Sequence, residues 1–278
     1  MALVGVGYRH VLAPWIDRSP PEIECLEVTA QHFYGGGLSR LEELARRYPL
    51  MVHALGCSLG TPGPLDRAEL SRLAEVVAVA KPLWISDHLG FVRTTEADLG
   101  HFNPLLPNSR NADIVAEHAA ELAAALGVPV ILENITTHIR LSGPLSEPAF
   151  LNRICKQADC GVLLDVTNLF VNSRNHGFDA RAWLMELDPQ YVTQLHVVGC
   201  SYHGGRWHDA HCEAIQDSLW ELIELTAAHT QPRTVIIERD DNFPPAREFT
   251  GELHRLKRLF NSKLCTEKLT QALGQEAR

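Results

Sequence analysis

Eight apolar, β-branched runs recur along this chain, at 3–8 (LVGVGY), 23–28 (IECLEV), 50–55 (LMVHAL), 83–91 (LWISDHLGF), 129–135 (PVILENI), 161–170 (GVLLDVTNLF), 194–200 (QLHVVGC) and 234–240 (TVIIERD). Near-continuous apolar runs of this length mark strands buried on both faces, as in parallel sheets whose crossover helices cover them. Segments of helical period fill the gaps at 38–48, 66–80, 111–127, 146–158, 179–187 and 209–229, and a last one lies at 245–260. Eight such units are the number that closes a (β/α)8 TIM barrel, and 278 residues suit that α/β fold. The first crossover, with APW at 13–15 and SPP at 19–21, is too interrupted by proline to hold a full helix. No Gly/Ser linker or internal repeat divides the sequence, so one domain over 1–278 is expected, with its core at about 3–260 and a polar, frayed tail at 261–278.

A net charge of −9 gives no basic surface excess to neutralise phosphates, so nucleic acid is not an expected partner. The opening residues lack a basic n-region and a cleavage site, and no apolar run approaches the length of a membrane span. Seven cysteines without a paired framework or a CxxC motif suit a reducing compartment. A cytoplasmic protein is expected. The YGGG at 34–37 lacks phosphate-loop spacing and reads as a loop with positive φ.

The βα loops of a parallel barrel converge on one mouth, so the polar residues that close each run form one set. They are Glu27, His53, Asp87 with His88, Glu133 with Asn134, Asp165 with Asn168, His196, and finally Glu238, Asp240 and Asp241; the loop after the seventh run adds His203, His208, Asp209 and His211. Imidazoles and carboxylates are the ligand set of a borderline divalent metal such as Fe, Mn, Zn or Co. Glu133, Asp165 and Glu238 each follow a fully apolar run, where an unpaired carboxylate would be costly to bury, and these runs hold almost no basic residue but Arg239. Cations are then the means of holding the cluster together. About nine donors exceed what one ion needs, so two or three ions are expected, with Glu133 able to bridge. Asp209 and His211 form a D-x-H pair whose side chains would share one side of an extended segment. His118, His229 and His254 fall in amphipathic helices and are expected on solvated faces; His138 and His176 fall in loops, His176 within reach of the mouth.

GVGYR near the start, SDHLGF (86–91), LENI (132–135), LLDVTNLFVNSRNHGFD (163–179), QLHVVG (194–199), DAH (209–211) and IIERD (236–240) together resemble the multinuclear non-heme iron-dependent oxidative enzymes, one of which acts in methanobactin maturation. The resemblance runs from about residue 4 to about 260. It implies a xylose-isomerase-like barrel holding two or three iron ions of mixed Fe(II)/Fe(III) state, with O2 as co-substrate. It also implies a Cys-containing, ribosomally made precursor peptide as substrate and a small leader-binding partner protein, in a heterodimer. Carried over motif by motif, the implied ligands are His53, His88, Glu133, Asp165, Asn168, His196, Asp209, His211 and Glu238, with Glu27 in a weaker context. Asp240 and His203 are candidates for moving protons.

Two other readings keep the barrel. A divalent-metal isomerase would want an acid–base Lys or His over a polyol, and no Lys ends a strand here; a phosphodiester hydrolase acting on DNA would want a basic groove, which the charge does not supply. A non-catalytic metal-binding subunit has no need of so many donors at one mouth.

Overall fold

A computed structural model describes residues 1–94 and 96–261. The first half runs β1 (Leu3–Gly7), α1 (Ala13–Ile16), β2 (Leu26–Thr29), α2 (Leu38–Arg47), β3 (Leu50–His53), α3 (Arg67–Ala80), β4 (Ile85–His88), β5 (Phe91–Arg93), β6 (Asp98–Asn103) and α4 (Ser109–Leu126). The second runs β7 (Val130–Glu133), α5 (Glu147–Ala158), β8 (Gly161–Asp165), α6 (Val166–His176), α7 (Ala180–Glu186), β9 (Val192–Val197), β10 (Gly199–His203), β11 (Arg206–Glu213), α8 (Asp217–His229), β12 (Thr234–Ile237) and α9 (Ala246–Asn261). Eight of the strands form a closed parallel barrel in the order β1-β12-β9-β8-β7-β4-β3-β2, and β5–β6 and β10–β11 are separate hairpins. The first crossover carries only a 3-10 turn, His10–Leu12, and the four-residue α1, and α9 packs against β1. The tail from 262 onward, with Cys265, lies outside the described residues. No helix among the described residues is long and apolar enough to cross a membrane.

Side chains alternate along each strand between two cores. Outward positions such as Val4, Val6, Leu26, Val28, Val52, Leu132, Leu164, Leu195 and Ile237 join the layer beneath the helices. Inward positions form a smaller floor of Cys25, Met51, Trp84, Ile131, Leu163 and Ile236, touched by Leu3. Two residues further along the same strands the inward positions become Glu27, His53, Ser86, Glu133, Asp165 and Glu238, all buried. Between one pleat and the next, the barrel interior therefore changes from hydrocarbon to ionisable groups.

Caps set where the crossovers begin. Asp66 accepts from the backbone N of Ala68 and Glu69 at the start of α3, Asn108 from Asn111 at α4, and Ser146 from Ala149 at α5. The same rule ends the sixth run early: the Asp165 carboxylate accepts from Asn168 N, so Val166 opens α6 where the apolar pattern alone extends the strand to 170. The segment at 209–229 also differs from the helix expected there. Its first residues belong to β11, because Gly204 and Gly205, with φ of 59° and 79°, make a two-residue hairpin turn between His203 and Arg206. α8 then starts only at Asp217. The YGGG loop does use positive φ, at Gly35 and Gly37. His118 is not solvated: it is buried on α4, with Nδ1 2.8 Å from Leu59 O and Nε2 2.7 Å from Gly63 O.

Met51 is fully buried in the floor, directly beneath the ionisable layer. Met51→Ala should cost about 2–5 kcal/mol, read as a lower urea midpoint at unchanged m-value.

Candidate metal centre

Every barrel strand but β1, which ends in Gly7, brings an inward polar group to the mouth, and the side chains meet. His53 Nε2 and His88 Nε2 each lie 3.4 Å from Glu133 Oε2. His196 Nδ1 lies 2.9 Å from Glu238 Oε2 and 3.5 Å from Glu133 Oε1. Three groups have ligand-type atoms all within 4.8 Å of one another: His53, His88 and Glu133; Glu133, Asp165, His196 and Glu238; and His211, Glu238 and Asp240. Glu133 and Glu238 are each shared by two groups, the arrangement of bridging carboxylates.

Side chains behind the cluster orient it. Ser86 Oγ is 2.8 Å from His53 Nδ1, which turns Nε2 toward Glu133. Asn134 accepts from Asp165 N at 2.8 Å and donates to Asp165 O at 2.9 Å, tying the ends of β7 and β8 together. Asn168, on the first turn of α6, donates to Asn134 O at 3.0 Å. Phe102 of β6 stacks on His88 with ring centroids 3.7 Å apart.

Asp209 and His211 reach the cluster from β11. Their side chains do meet, with His211 Nε2 2.6 Å from Asp209 Oδ1 and 4.0 Å from Asp165 Oδ2. They meet otherwise than expected from an extended segment: His211 has φ of +48°, a left-handed conformation unfavourable for so bulky a side chain. On its other side, His211 Nδ1 is 3.2 Å from Asp240 Oδ2.

Seven buried side-chain atoms at this mouth have no hydrogen-bond partner: His88 Nδ1, Glu133 Oε2, Asp165 Oδ2, Asn168 Oδ1, His196 Nδ1, Asp209 Oδ1 and His211 Nε2. Several lie near other polar atoms, but out of line for a hydrogen bond. Native interiors hold few such atoms, and among the described residues only Thr234 Oγ1 and Asn261 Oδ1 are found elsewhere. Nitrogen and oxygen donors that converge without hydrogen bonds between them fit cations. For His211, the unpartnered nitrogen faces Asp165 and Asp209 rather than Asp240, so the Nε2 side suits an ion better than the compact His211, Glu238 and Asp240 group.

Without cations the cluster balances its charge with protons. Burial raises the Asp165 carboxyl, and Asp209 and Glu133 push it further, well above the usual carboxylate range. Burial would also raise Glu133, but His88 and His196 outweigh it and hold it at about 2. Burial opposes charge on His196, yet Glu27, Glu238 and Glu133 raise it well above an ordinary imidazole; Asp209 does the same for His211.

The structure thus brings together His53, His88, Glu133, Asp165, Asn168, His196, Asp209, His211 and Glu238, with Asp240 at the rim. It places His203 elsewhere, exposed beside the hairpin turn and stacked on His208 at 3.7 Å. Arg9, from the GVGYR stretch, has no role in the sequence reading, yet its Nη2 lies 3.1 Å from Glu238 Oε1 and its Nε donates to Asp240 Oδ1 at 2.7 Å. Arg239, the basic residue adjacent to Glu238, instead donates to the backbone O of Asp241 and Asn242. Only the fold reveals that the cation answering Glu238 comes from the first strand's loop.

The profile of one family, described as "RiPP precursor modification enzyme MbnB/TglH/ChrH", matches residues 3–261. The chain belongs to this MbnB/TglH/ChrH family. Relatives of this family member include a UPF0276 protein of Rhizorhabdus wittichii, 31% identical over 95% of this chain and 96% of the relative. Another, from Chromobacterium violaceum, is 34% identical over 84% of this chain and 85% of its own length. Among solved structures, a D-psicose 3-epimerase crystallised with D-fructose superposes with TM-score 0.61 at 13% identity, covering 94% of this chain and all of the epimerase. A xylose isomerase domain protein from Planctomyces limnophilus gives 0.54 at 13% identity, covering 93% of this chain and 97% of that protein. Identity that low shows the fold alone, a xylose-isomerase-like TIM barrel.

Because His196 and His211 are raised above the ordinary imidazole value, both are cationic at neutral pH when no ion is bound, and an ion must displace their protons. Loading the MbnB/TglH/ChrH family member with a divalent metal should therefore release protons, and affinity should rise with pH through the neutral range. Calorimetry in buffers of differing ionisation enthalpy measures both; affinity that does not change between pH 6 and 8 would contradict the assignment.

Proposed function

We propose that this chain is an iron-dependent oxidase that uses O2 to modify cysteine in a ribosomally made precursor peptide, working in the cytoplasm beside a small protein that holds the peptide's leader. The observation that carries the metal-dependent part is the set of seven unpartnered, buried ligand-type atoms at one barrel mouth. The peptide substrate follows from membership of a precursor-modifying family. An all-nitrogen-and-oxygen donor set of imidazoles and carboxylates suits iron among the borderline metals.

His53, His88 and Glu133 would hold one ion, and Glu133, Asp165, His196 and Glu238 a second. His211 and Asp209, with Asp165 and the Asn168 side-chain oxygen, offer a third place. Two or three irons of mixed ferrous and ferric state are consistent with that count. Bound iron would supply the one-electron and O2 chemistry that side chains lack.

The chain's own groups would orient and deliver. Asp240 is the one carboxylate of the set with an exposed side chain, at 47%, and Arg9 fixes it so that Oδ2 faces His211. Oδ2 is therefore placed to accept a proton at the rim where a peptide arrives. A cleft of about 150 Å3 reaches Asp209 between the segment after β7 and the β10–β11 hairpin, with Thr137, Asn175, Arg206 and Trp207 in its walls. Trp207 N–H and O are both held by Asn175, so this wall is firm. Phe102 stacks over the His88 ring.

Chain loaded with iron under anaerobic conditions, then given a Cys-containing precursor, its partner protein and air, should consume O2 in step with peptide modification. A Cys→Ser precursor should consume none. Glu133→Ala should lower bound iron and reduce turnover by more than the roughly 10–100-fold typical of losing an outer partner. Turnover without O2, as an isomerase or hydrolase would show, defeats the proposal.

A further inference from the structure

β1 is the barrel strand that brings no side chain of its own to the mouth. Val4 and Val6 face the helices, so its inward positions are Leu3, Gly5 and Gly7. Gly7 pairs with Glu27 of β2 on one side; on the other, Val6 pairs with Ile237, so Gly7 stands between Glu27 and Glu238. Arg9 fills that gap. A Cβ on Gly7 would stand 2.9 Å from Arg9 Nη1, so the guanidinium, folded back from the loop after β1, lies where a side chain of the strand would have been. It is engaged on every edge: Nε donates to Asp240 Oδ1 at 2.7 Å, Nη2 to Glu238 Oε1 at 3.1 Å and Nη1 to Tyr8 O at 3.1 Å.

We propose that Arg9 is a fixed cation standing where the mouth would otherwise take a further metal ion, so that the group of His211, Glu238 and Asp240 stays free of metal. Three observations support this. The guanidinium holds both carboxylates of that group, whereas Glu133 and Asp165 meet no Lys or Arg among the described residues. None of the seven unpartnered atoms at the mouth belongs to Glu238 or Asp240, and the His211 atom among them is Nε2, on the far side of the ring from Asp240. Finally, an ion reaches a cationic histidine by displacing its proton, but a guanidinium in a protein keeps its charge and repels a second cation beside it. Arg9 acts through the carboxylates it holds, as a positioning residue. With Oε1 taken, Glu238 offers ions only Oε2, the oxygen 2.9 Å from His196 Nδ1. With Oδ1 taken, Asp240 keeps Oδ2 for a proton at the rim rather than for a metal.

The inference rests on the metal centre proposed above but needs neither iron nor O2 nor peptide. Zinc is the probe, counted by native mass spectrometry and located by anomalous diffraction from crystals of the full chain. Wild type should carry zinc in the groups that contain Glu133 and none on Asp240. Arg9→Gln removes the charge and keeps a hydrogen-bonding amide; it should bind one zinc more, located between His211 Nδ1, Glu238 and Asp240. Adding Asp240→Asn to that variant should return the count to that of the wild type. Zinc on Asp240 in the wild type overturns the inference and needs no variant to fold. So does a folded Arg9→Gln chain that gains no ion, the result expected if Arg9 only braces β1 against β12. A wild-type chain that binds neither zinc nor iron would overturn the metal centre itself, a result distinct from an ion in the wrong group.

Discussion

The arrangement depends on a constraint two residues long. A barrel interior receives every second side chain of each strand, so a four-residue strand has room for about one residue in the floor and one at the mouth. Met51 and His53, Ile131 and Glu133, Leu163 and Asp165, and Ile236 and Glu238 are four such pairs. The lower member of each excludes water and fixes the height of the upper one. The upper members are then too crowded and too dry to remain a set of independent charges, and protons or metal cations must be shared among them.

That crowding explains why hydrogen bonds behind the cluster matter as much as the cluster. An imidazole has two nitrogens, and which one faces the mouth is decided by what holds the other. Ser86 decides it for His53, the Gln194 amide nitrogen meets the rear nitrogen of His196, and Asp240 lies 3.2 Å from the outer nitrogen of His211. The Asp240 case differs from the others because that carboxylate is exposed and is itself held by Arg9. The His211 end of the site is thereby linked to solvent in a way the His53 end, closed over by strands on both sides, is not.

Much of this was legible in the sequence, for a physical reason. A carboxylate after three consecutive apolar residues, as in VILE or GVLLD, has few explanations in a folded protein, and the parallel-barrel period places all such ends at one mouth. The apolar pattern also gave the number of strands. It could not give where they stop, since in LLDVTNLF hydrophobicity continues smoothly from β8 into α6, and only the Asp165 cap marks the change. Arg9 was out of reach because its partner Glu238 is 229 residues away, and His118 because a helical histidine looks alike whether its face meets water or two backbone carbonyls. The β10–β11 hairpin did carry a local signal, the Gly-Gly pair, which the helical period of the following residues obscured.

The hairpin also differs from the strands in how it supplies its groups. Strand-borne donors such as Glu133 are fixed by pairing on both sides, whereas Asp209 and His211 hang from a two-stranded ribbon attached to the barrel at Gly199 and Glu213. Gly199 is needed at that root, since a Cβ there would stand 2.1 Å from Ala214 O. An isolated ribbon is only marginally stable in water, and the left-handed turn at His211 adds a local cost. Contacts that the ribbon makes with the barrel must offset both: Trp207 against Asn175 and Phe170, and Asp240 N–H on His211 O. A cation drawing His211 Nε2, Asp209 and Asp165 together would act in the same sense. In such a barrel the ribbon's order and the filling of the site beside it are one equilibrium, and the donors least rigidly held by the fold are those whose position depends most on what they bind.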